Sequence, residues 1–161
     1  MCSHYQALKE QQRQERFLRS FGIEPAPLPG KLDVWPGYLG SFIRRHPHAN
    51  VGDDAVPYAE SLNGLFGLVP HWATDTKITK STYNARSETV AEKPSFRDAW
   101  RRAQHCIIPA DEKRMVVILP RESYSDWLTA VPEHSMALMQ PFPSDHLKAV
   151  APQTDHDLFN Q

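Results

Sequence analysis

The sequence predicts one α+β domain in which short helices and strands are joined by many loops. Three observations predict it: a helical pattern near the amino terminus, short apolar strand-like segments in the middle of the chain, and 14 prolines against 7 glycines among 161 residues. Because proline fixes φ and lacks a backbone donor, this composition favours rigid loops and extended segments over a helical bundle. The length suits a single domain over residues 1–152, followed by a polar tail over residues 153–161.

The first half of the chain predicts a helix followed by extended segments. Residues 7–21 are rich in Gln, Glu, Lys and Arg and end at Gly22, a common helix stop. Prolines at every second position from 25 to 29 predict an extended loop. Residues 38–45 predict a strand, and residues 46–54 a polar loop. The apolar side chains available for one face of the helix are Leu8, Phe17, Leu18 and Phe21.

The second half predicts a hairpin and then shorter elements. Asn63-Gly64 separates two apolar segments, residues 56–62 and 65–69, and Asn-Gly in that setting is a strong hairpin signal. Helices are expected over 95–104, 120–128 and 133–139, the first with Ser95 and Asp98 spaced as a capping box variant. Short strands are expected over 82–85, 106–109 and 115–119, which would make Cys106 a buried core thiol.

Composition and sequence signatures exclude several classes of protein. The formal net charge is −1, so any contact with nucleic acid must come from local basic patches. Two cysteines, Cys2 and Cys106, do not form a disulfide framework. No signal peptide or membrane-length apolar segment is found, which predicts a cytoplasmic protein without a membrane partner. Phosphate-binding, dinucleotide-binding and zinc-binding signatures are missing from the sequence, so no cofactor and no metal is expected.

Cys2 follows the first methionine in the segment Met1-Cys2-Ser3-His4-Tyr5. Once Met1 is removed, Cys2 carries a free α-amine and a thiol on one carbon skeleton. The amine condenses with an aldehyde to a Schiff base, and the thiol then closes a five-membered thiazolidine. An amine with a pKa of about 7.8 and a thiol with a pKa of about 8.5 are partly reactive at neutral pH. The alternative is that Cys2 is an ordinary residue of a frayed terminus.

Two further stretches offer candidate binding residues. The segment Gly67-Leu68-Val69-Pro70-His71-Trp72 ends in an aromatic, and Trp72 either caps the core or forms a platform on which a nucleobase stacks. On an extended segment, Asn84, Arg86 and Glu88 would point to one side. There Asn84 can hold a developing oxyanion or hemiaminal oxygen and Arg86 can bind a phosphate. The alternative for this segment is a solvent-facing polar strand edge.

The helix expected over residues 95–104 carries Arg97, Arg101 and Arg102. Arg97 and Arg101 are four residues apart and therefore share a face of the helix. This basic face is either solvated or in contact with phosphate, and the spacing alone favours neither.

Taken together, these residues resemble the SOS-response-associated peptidase family, the abasic-site-processing proteins. The resemblance covers most of the chain, and its most specific parts are the Cys2 start and the segment Asn84-Ala85-Arg86-Ser87-Glu88-Thr89. The other segments that carry it are Val34-Trp35-Pro36-Gly37, Gly67-Leu68-Val69-Pro70-His71-Trp72, Phe96-Arg97, Cys106-Ile107-Ile108-Pro109-Ala110-Asp111 and Arg114-Met115-Val116-Val117-Ile118-Leu119.

The resemblance implies a compact α+β fold built on a curved mixed β-sheet with flanking helices. It implies a monomeric protein of the DNA damage (SOS) response that binds single-stranded DNA with abasic sites. Capture of the ring-opened abasic aldehyde as a covalent thiazolidine is implied too, with associated autopeptidase and lyase activities. By match, the catalytic residues are the nucleophile Cys2 and Asn84, which positions the open sugar. The DNA-binding residues that it implies are His4, Trp72, Arg86, Glu88 and Arg114.

The sequence departs from the family pattern after Asp111. There the family runs into a motif with an aromatic and a catalytic glutamate, then further strands and a catalytic histidine. Here Asp111 joins almost directly to Arg114, which indicates an internal deletion in the middle of the fold, and Glu112 is given no role. His4 replaces an arginine often found in the family. The alternatives are therefore a DNA-binding module that has lost the chemistry, or a deletion product that does not fold cooperatively.

Overall fold

A computed structural model describes residues 4–27, 30–52, 54–111 and 117–140. The predicted α+β class is confirmed, and the described strands pair as two small antiparallel sheets, β1 with β2 and β3 with β4. Across these described ranges, no helix has the length and apolar character needed to cross a membrane. The elements in chain order are β1 Tyr5–Gln6, α1 Glu10–Phe21, β2 Asp33–Val34, β3 Leu39–Arg45, β4 Ala59–Leu65, α2 Thr79–Thr82, α3 Arg97–Arg101, α4 Tyr124–Thr129 and α5 Pro132–Leu138, with 3₁₀ turns at Thr76–Ile78 and Arg121–Ser123.

Helix α1 ends as the sequence predicts but begins three residues later. Gly22 adopts a left-handed φ of 66°, and its backbone N–H donates to the carbonyl of Leu18. At the other end, the N–H of Ala7 donates to the carbonyl of Leu32 at 2.8 Å, so Ala7 continues the pairing of β1 instead of entering the helix. The buried face of α1 carries Arg13, Phe17 and Phe21. The sequence placed Leu18 on the same face. This prediction is wrong, because 62 % of Leu18 is exposed.

The predicted hairpin turn at Asn63-Gly64 is wrong, because both residues lie inside β4. They pair with Ser41 and Gly40 of β3, in a register that runs from Leu39 opposite Leu65 to Arg45 opposite Ala59. The Asn63 side chain accepts a hydrogen bond from Ser41 Oγ at 2.9 Å and donates one to the carbonyl of Pro27 at 2.8 Å. A Cβ at Gly64 would lie 2.8 Å from the Phe42 ring. The amide and the glycine therefore serve packing, and the chain reverses over residues 46–58.

The core lies between α1, the β3–β4 sheet and α4. The ring of Phe21 stacks on that of Tyr124 with centroids 5.1 Å apart, which joins α1 to α4. The guanidinium of Arg13 is buried and donates to Ser41 Oγ at 3.2 Å and to the carbonyl of Ala26. The buried apolar cluster is formed by Leu8, Phe17, Phe21, Ile23, Ile43, Ala59 and Leu128.

The shorter predicted elements are confirmed near the carboxyl end and corrected in the middle. Residues 82–85 are not a strand, because Thr82 ends α2. Helix α3 covers only five of the ten predicted residues, and its N-cap is Phe96 without a side-chain hydrogen bond, so the proposed Ser95 capping box is wrong. The helices expected over 120–128 and 133–139 are present as a 3₁₀ turn followed by α4, and as α5. Residues 106–109 form a single bridge at Ile107, and the strand expected over 115–119 lies partly outside the described residues.

Candidate active site

A groove of about 540 Å³ lies beside the first described residues of the chain. Its walls come from β1, α1, α4 and the segment 106–110, so residues far apart in sequence meet in it. The residues that line it are His4, Tyr5, Gln6, Leu8, Arg16, Phe17, Ser20, Phe21, Phe66, Tyr83, Asn84, Cys106, Ile107, Ile108, Pro109, Ala110, Val117, Ile118, Leu119, Pro120, Tyr124 and Trp127.

The segment 106–111 forms one wall of the groove and joins the two sheets. Ile107 exchanges two backbone hydrogen bonds with Ile43 of β3, at 2.8 and 2.9 Å. Asp111 N–H donates to the carbonyl of Gln6 at 2.8 Å, next to a bridge between Ala7 and Ala110. Strand β1 is therefore held between β2 on one side and this segment on the other, which fixes Tyr5 and Gln6 beside the groove.

His4 is oriented by Trp35, a residue for which sequence reasoning assigned no role. Tyr5 pairs with Val34 in the β1–β2 sheet, so the residues before and after that pair, His4 and Trp35, come side by side. Their rings stack with centroids 4.4 Å apart and planes at 14°. The only sequence signal for this contact is the segment Val34-Trp35-Pro36-Gly37, and it does not reveal the partner.

Asn84 also lines this groove, and the residue before it, Tyr83, belongs to a row of three aromatic rings. Tyr5 meets Phe66 edge to face at 5.0 Å, and Phe66 meets Tyr83 at 6.0 Å. The backbone before Tyr83 is fixed because Thr82 Oγ1 donates to the carbonyl of Leu68 at 2.6 Å, while Leu68 N–H donates to the carbonyl of Thr82 at 3.2 Å. Of the residues singled out from the sequence, the structure thus brings His4 and Asn84 together.

The predicted site residues Trp72, Arg86 and Glu88 are described by the structure and do not line the groove. Arg86 and Glu88 are exposed, and the carbonyl of Arg86 accepts from Thr89 N–H at 3.1 Å. The segment is therefore a turn, and the extended conformation predicted for Asn84, Arg86 and Glu88 is wrong. Cys2 and Arg114 lie outside the described residues.

Trp72 lies on a separate surface together with helix α3. It is 49 % exposed, and its indole Nε1 donates to the carbonyl of Pro94 at 3.4 Å, just before α3. The preceding residue, His71, is 3.5 Å from Asp98 of the same helix. Arg97 and Arg101 are both exposed on α3. We call Trp72, His71, Arg97 and Arg101 the Trp72 surface; it combines an exposed aromatic ring with two permanent positive charges.

Cys106 was expected to be a buried core thiol, and this prediction is wrong. The residue is exposed and lines the groove, because the segment 106–109 bridges β3 only at Ile107 and does not form a central strand. The protein around the groove still removes much of the surrounding water, and this desolvation raises the pKa of the Cys106 thiol. The same effect, followed by the proximity of Cys106, raises the pKa of Tyr5 to about 12. Both groups are therefore neutral at physiological pH.

No cluster of three or more His, Cys, Asp or Glu side chains suited to a metal ion occurs in the ranges that the structure describes. The described residues that line the groove offer an amide, an imidazole, a thiol, a guanidinium and aromatic rings.

Comparison with known proteins finds relatives for this arrangement. Residues 1–112 match the family described as SOS response associated peptidase (SRAP). "Abasic site processing protein YoqW" of Bacillus subtilis is 37 % identical over 86 residues, which are 53 % of this chain and 33 % of that protein. "Abasic site processing protein YoaM" of the same organism is 52 % identical over 46 residues, 29 % of this chain and 20 % of that protein. The chain thus covers about a third or less of the curated relatives that it matches.

A solved structure supports the fold over a longer stretch. The X-ray crystal structure of a protein from Bordetella bronchiseptica is similar with a TM-score of 0.71 and 31 % sequence identity. The similarity covers 89 % of this chain and 96 % of that chain, so it extends beyond the residues matched by the family.

Proposed function

Because the chain belongs to the SOS response associated peptidase family, we propose that it processes abasic sites in DNA by covalent capture at Cys2. The observation that carries the proposal is the common location of His4 and Asn84 in one groove beside the start of the chain. Cys2 precedes His4 by two residues, and two residues of chain reach at most about 7 Å. The α-amine and thiol of Cys2 are therefore within reach of the groove that Asn84 lines.

The proposed reaction needs only the aminothiol and the ring-opened sugar aldehyde. The α-amine adds to the aldehyde carbon, and the resulting hemiaminal loses water to give a Schiff base. The thiolate then adds to the same carbon and the nitrogen takes up a proton, which closes the thiazolidine with release of one water overall. A side-chain amide near the hemiaminal oxygen stabilises the charge that develops there, and this is the role proposed for Asn84. The autopeptidase and lyase activities of the proposal depend on the same exposed Cys2 amine.

Single-stranded DNA is the proposed substrate because the Trp72 surface offers what a DNA strand requires. An exposed indole stacks on a base with a gain of about 1–3 kcal/mol, and arginines bind the phosphates on either side. Trp72 provides the exposed ring, and helix α3, which follows the Pro94 carbonyl that Trp72 contacts, provides Arg97, paired with Asp98 at 3.7 Å, and Arg101. Arg86 and Glu88 are exposed on the turn that follows Asn84, which suits contacts with the strand next to the lesion.

The direct test is a denaturing gel of the full chain with a single-stranded oligonucleotide that carries one abasic site. Mass spectrometry first confirms that Met1 is removed from the purified protein. We expect a slower covalent band with the natural protein and none with Cys2→Ala. An oligonucleotide with a tetrahydrofuran site, which has no aldehyde, is the matched substrate control and gives no band. A band of equal intensity in Cys2→Ala would refute the proposal.

A DNA-binding module without chemistry is the second candidate, and the separation of the Trp72 surface from the groove favours it. In that case the chain binds the oligonucleotide on a native gel and leaves no band on the denaturing gel. Binding then weakens steeply with salt, because each phosphate contact releases condensed counterions and this release is less favourable at high salt. Replacing Arg97 and Arg101 with alanine would lower the salt dependence by about two phosphate contacts.

A further inference from the structure

The indole of Trp35 lies at the rim of the groove that His4 and Asn84 line. Its ring stacks on the His4 imidazole with centroids 4.4 Å apart and planes at 14°. His4 belongs to the lining and Trp35 does not, so Trp35 lies one ring beyond the groove. Trp35 is 44 % exposed. Because the imidazole covers one face of the indole, this exposed surface lies on the opposite face and on the edges of the ring.

Backbone hydrogen bonds on both sides of Trp35 hold the indole in place. The residue before Trp35 pairs with Tyr5 in the β1–β2 sheet. On the other side, Tyr38 N–H donates to the carbonyl of Trp35, and Gly37 N–H donates to the carbonyl of Phe66, both at 2.8 Å. A ring that is already oriented loses little conformational entropy when a ligand stacks on it, which favours binding.

The charges beside Trp35 suit a DNA strand that enters the groove. Among the described residues that line the groove, Arg16 carries a permanent positive charge and none carries a carboxylate. Arg16 is exposed, so its guanidinium is accessible to a phosphate of the strand. The rim at Trp35 therefore adds an aromatic platform to a groove that already accepts an anionic backbone.

We infer that the base next to an abasic site stacks on the exposed face of the Trp35 indole, whose other face rests on His4. The inference rests on the proposed function and names how the nucleotide beside the lesion is held. An abasic nucleotide has no base of its own, so the neighbouring base has lost a stacking partner, and an aromatic side chain can replace that partner. Trp35 is thereby a positioning residue, which holds the strand with its open sugar in the groove that Asn84 lines.

The test measures the binding of labelled single-stranded oligonucleotides to the full chain by fluorescence anisotropy. The lesion is a tetrahydrofuran site, which has no aldehyde, so binding is measured without covalent capture. One oligonucleotide carries an adenine on each side of this site, and the other carries further tetrahydrofuran sites in those two positions. Stacking of one base on an aromatic side chain contributes about five- to 150-fold in affinity. We therefore expect the natural chain to bind the oligonucleotide with adenines at least about fivefold more tightly.

Three variants assign this preference to the ring of Trp35. Trp35→Leu keeps an apolar side chain next to His4 but removes the ring, and it should lose the preference. Trp35→Tyr keeps a ring and should retain most of it. Tyr58→Leu is the matched control and should keep it fully, because Tyr58 is also exposed but precedes Ala59, at the opposite end of the β3–β4 sheet. That end is about 20 Å along β4 from the end nearest Trp35.

The difference between the two oligonucleotides separates stacking from a purely structural role of Trp35. A preference for adenines that Trp35→Leu removes and Tyr58→Leu keeps supports the inference. Equal binding of the two oligonucleotides by the natural chain overturns it, and so does a Trp35→Leu variant that binds both more weakly by the same factor. If urea unfolding shows that Trp35→Leu does not fold, quenching of the indole emission decides. The oligonucleotide with adenines should quench the natural chain more than Trp35→Tyr, and equal quenching overturns the inference.

The denaturing gel with an abasic aldehyde distinguishes failure of this inference from failure of the proposed function. A band that requires Cys2, without a preference for neighbouring adenines, overturns the inference and leaves the proposed function standing. A preference that depends on Trp35, without any band, supports the base contact and refutes covalent capture. The chain would in that case be the DNA-binding module without chemistry.

Discussion

Substitution of Gly67 tests the close packing of Gly67 on Thr79, next to the segment that leads to Asn84. Gly67 has a φ of 117°, a region that side chains rarely adopt, and it packs directly against Thr79. A Cβ built on Gly67 would lie 2.7 Å from the Thr79 carbonyl oxygen and 2.8 Å from its Cα. These are backbone atoms in α2, so they cannot move aside as the end of a flexible side chain could.

Gly67→Ala should therefore lower the free energy of unfolding by about 2–6 kcal/mol. Backbone strain contributes about 1–3 kcal/mol of this, and steric overlap with Thr79 contributes about 1–3 kcal/mol. Gly22→Ala is the matched control, because Gly22 also has a positive φ, 66°, but no atom within 4 Å of the added Cβ. That control should lose only the cost of the left-handed conformation, about 1–2 kcal/mol.

Urea unfolding of the natural chain and the two variants measures the difference. We expect Gly67→Ala to lose at least about 1 kcal/mol more than Gly22→Ala. Its covalent band with the abasic oligonucleotide should also weaken, because the neighbouring Leu68 is hydrogen-bonded to Thr82, two residues before Asn84. Equal losses in the two variants would refute the close packing of Gly67 on Thr79.

Three further predictions concern the core, its buried histidine and the sheet surface. Phe17→Ala should lower the free energy of unfolding, measured with heat or urea, by about 3–5 kcal/mol. Leu18→Ala, at an exposed position, should lower it by less than about 1 kcal/mol. Similar losses in the two variants would contradict the assigned buried face of α1. Burial lowers the pKa of His105 in the folded protein, so below about pH 6.5 the unfolded chain binds a proton at this histidine more readily than the folded chain does. The free energy of unfolding should therefore fall as the pH drops below about 6.5. His105→Phe should flatten this part of the Tm–pH curve, and an unchanged slope would count against it. Arg44→Ala breaks a partly exposed ion pair with Glu60, 2.7 Å long, and should change stability by less than about 1 kcal/mol.

Elements fixed by local interactions were predictable from the sequence. Helix α1 ends at Gly22 because a residue without a side chain adopts the left-handed conformation at little cost, and this requirement is visible in the sequence. The Asn63-Gly64 hairpin failed because the same two residues have a tertiary role. The asparagine bonds to Ser41 and Pro27, and the glycine admits the ring of Phe42. Turn propensity was overridden by contacts to residues more than 20 positions away.

Two residues that the sequence singled out line one groove, but the geometry that places them there was not predictable. The sequence singled out His4 and Asn84, yet their common groove depends on the β1–β2 register and on the row of rings from Tyr5 through Phe66 to Tyr83. Trp35 was missed as the partner of His4, since a stacking contact leaves no signature in the spacing of a single chain. Arg86 and Glu88 were grouped with Asn84 by assuming an extended segment, and the turn at Arg86–Thr89 separates them.

The segment 106–111 lies just before the position at which the sequence departs from the family pattern. The family match ends at residue 112, immediately after this segment. The segment is bonded to β3 through Ile107 and to β1 through Asp111, and the ring of His4 stacks on that of Trp35, which precedes the segment. The stacked pair of His4 and Trp35 is therefore formed by residues that precede Asp111. Positioned acids and bases contribute about 10²–10⁴-fold to a rate, so the capture of an aldehyde that we propose for Cys2 should be slow if such groups are missing.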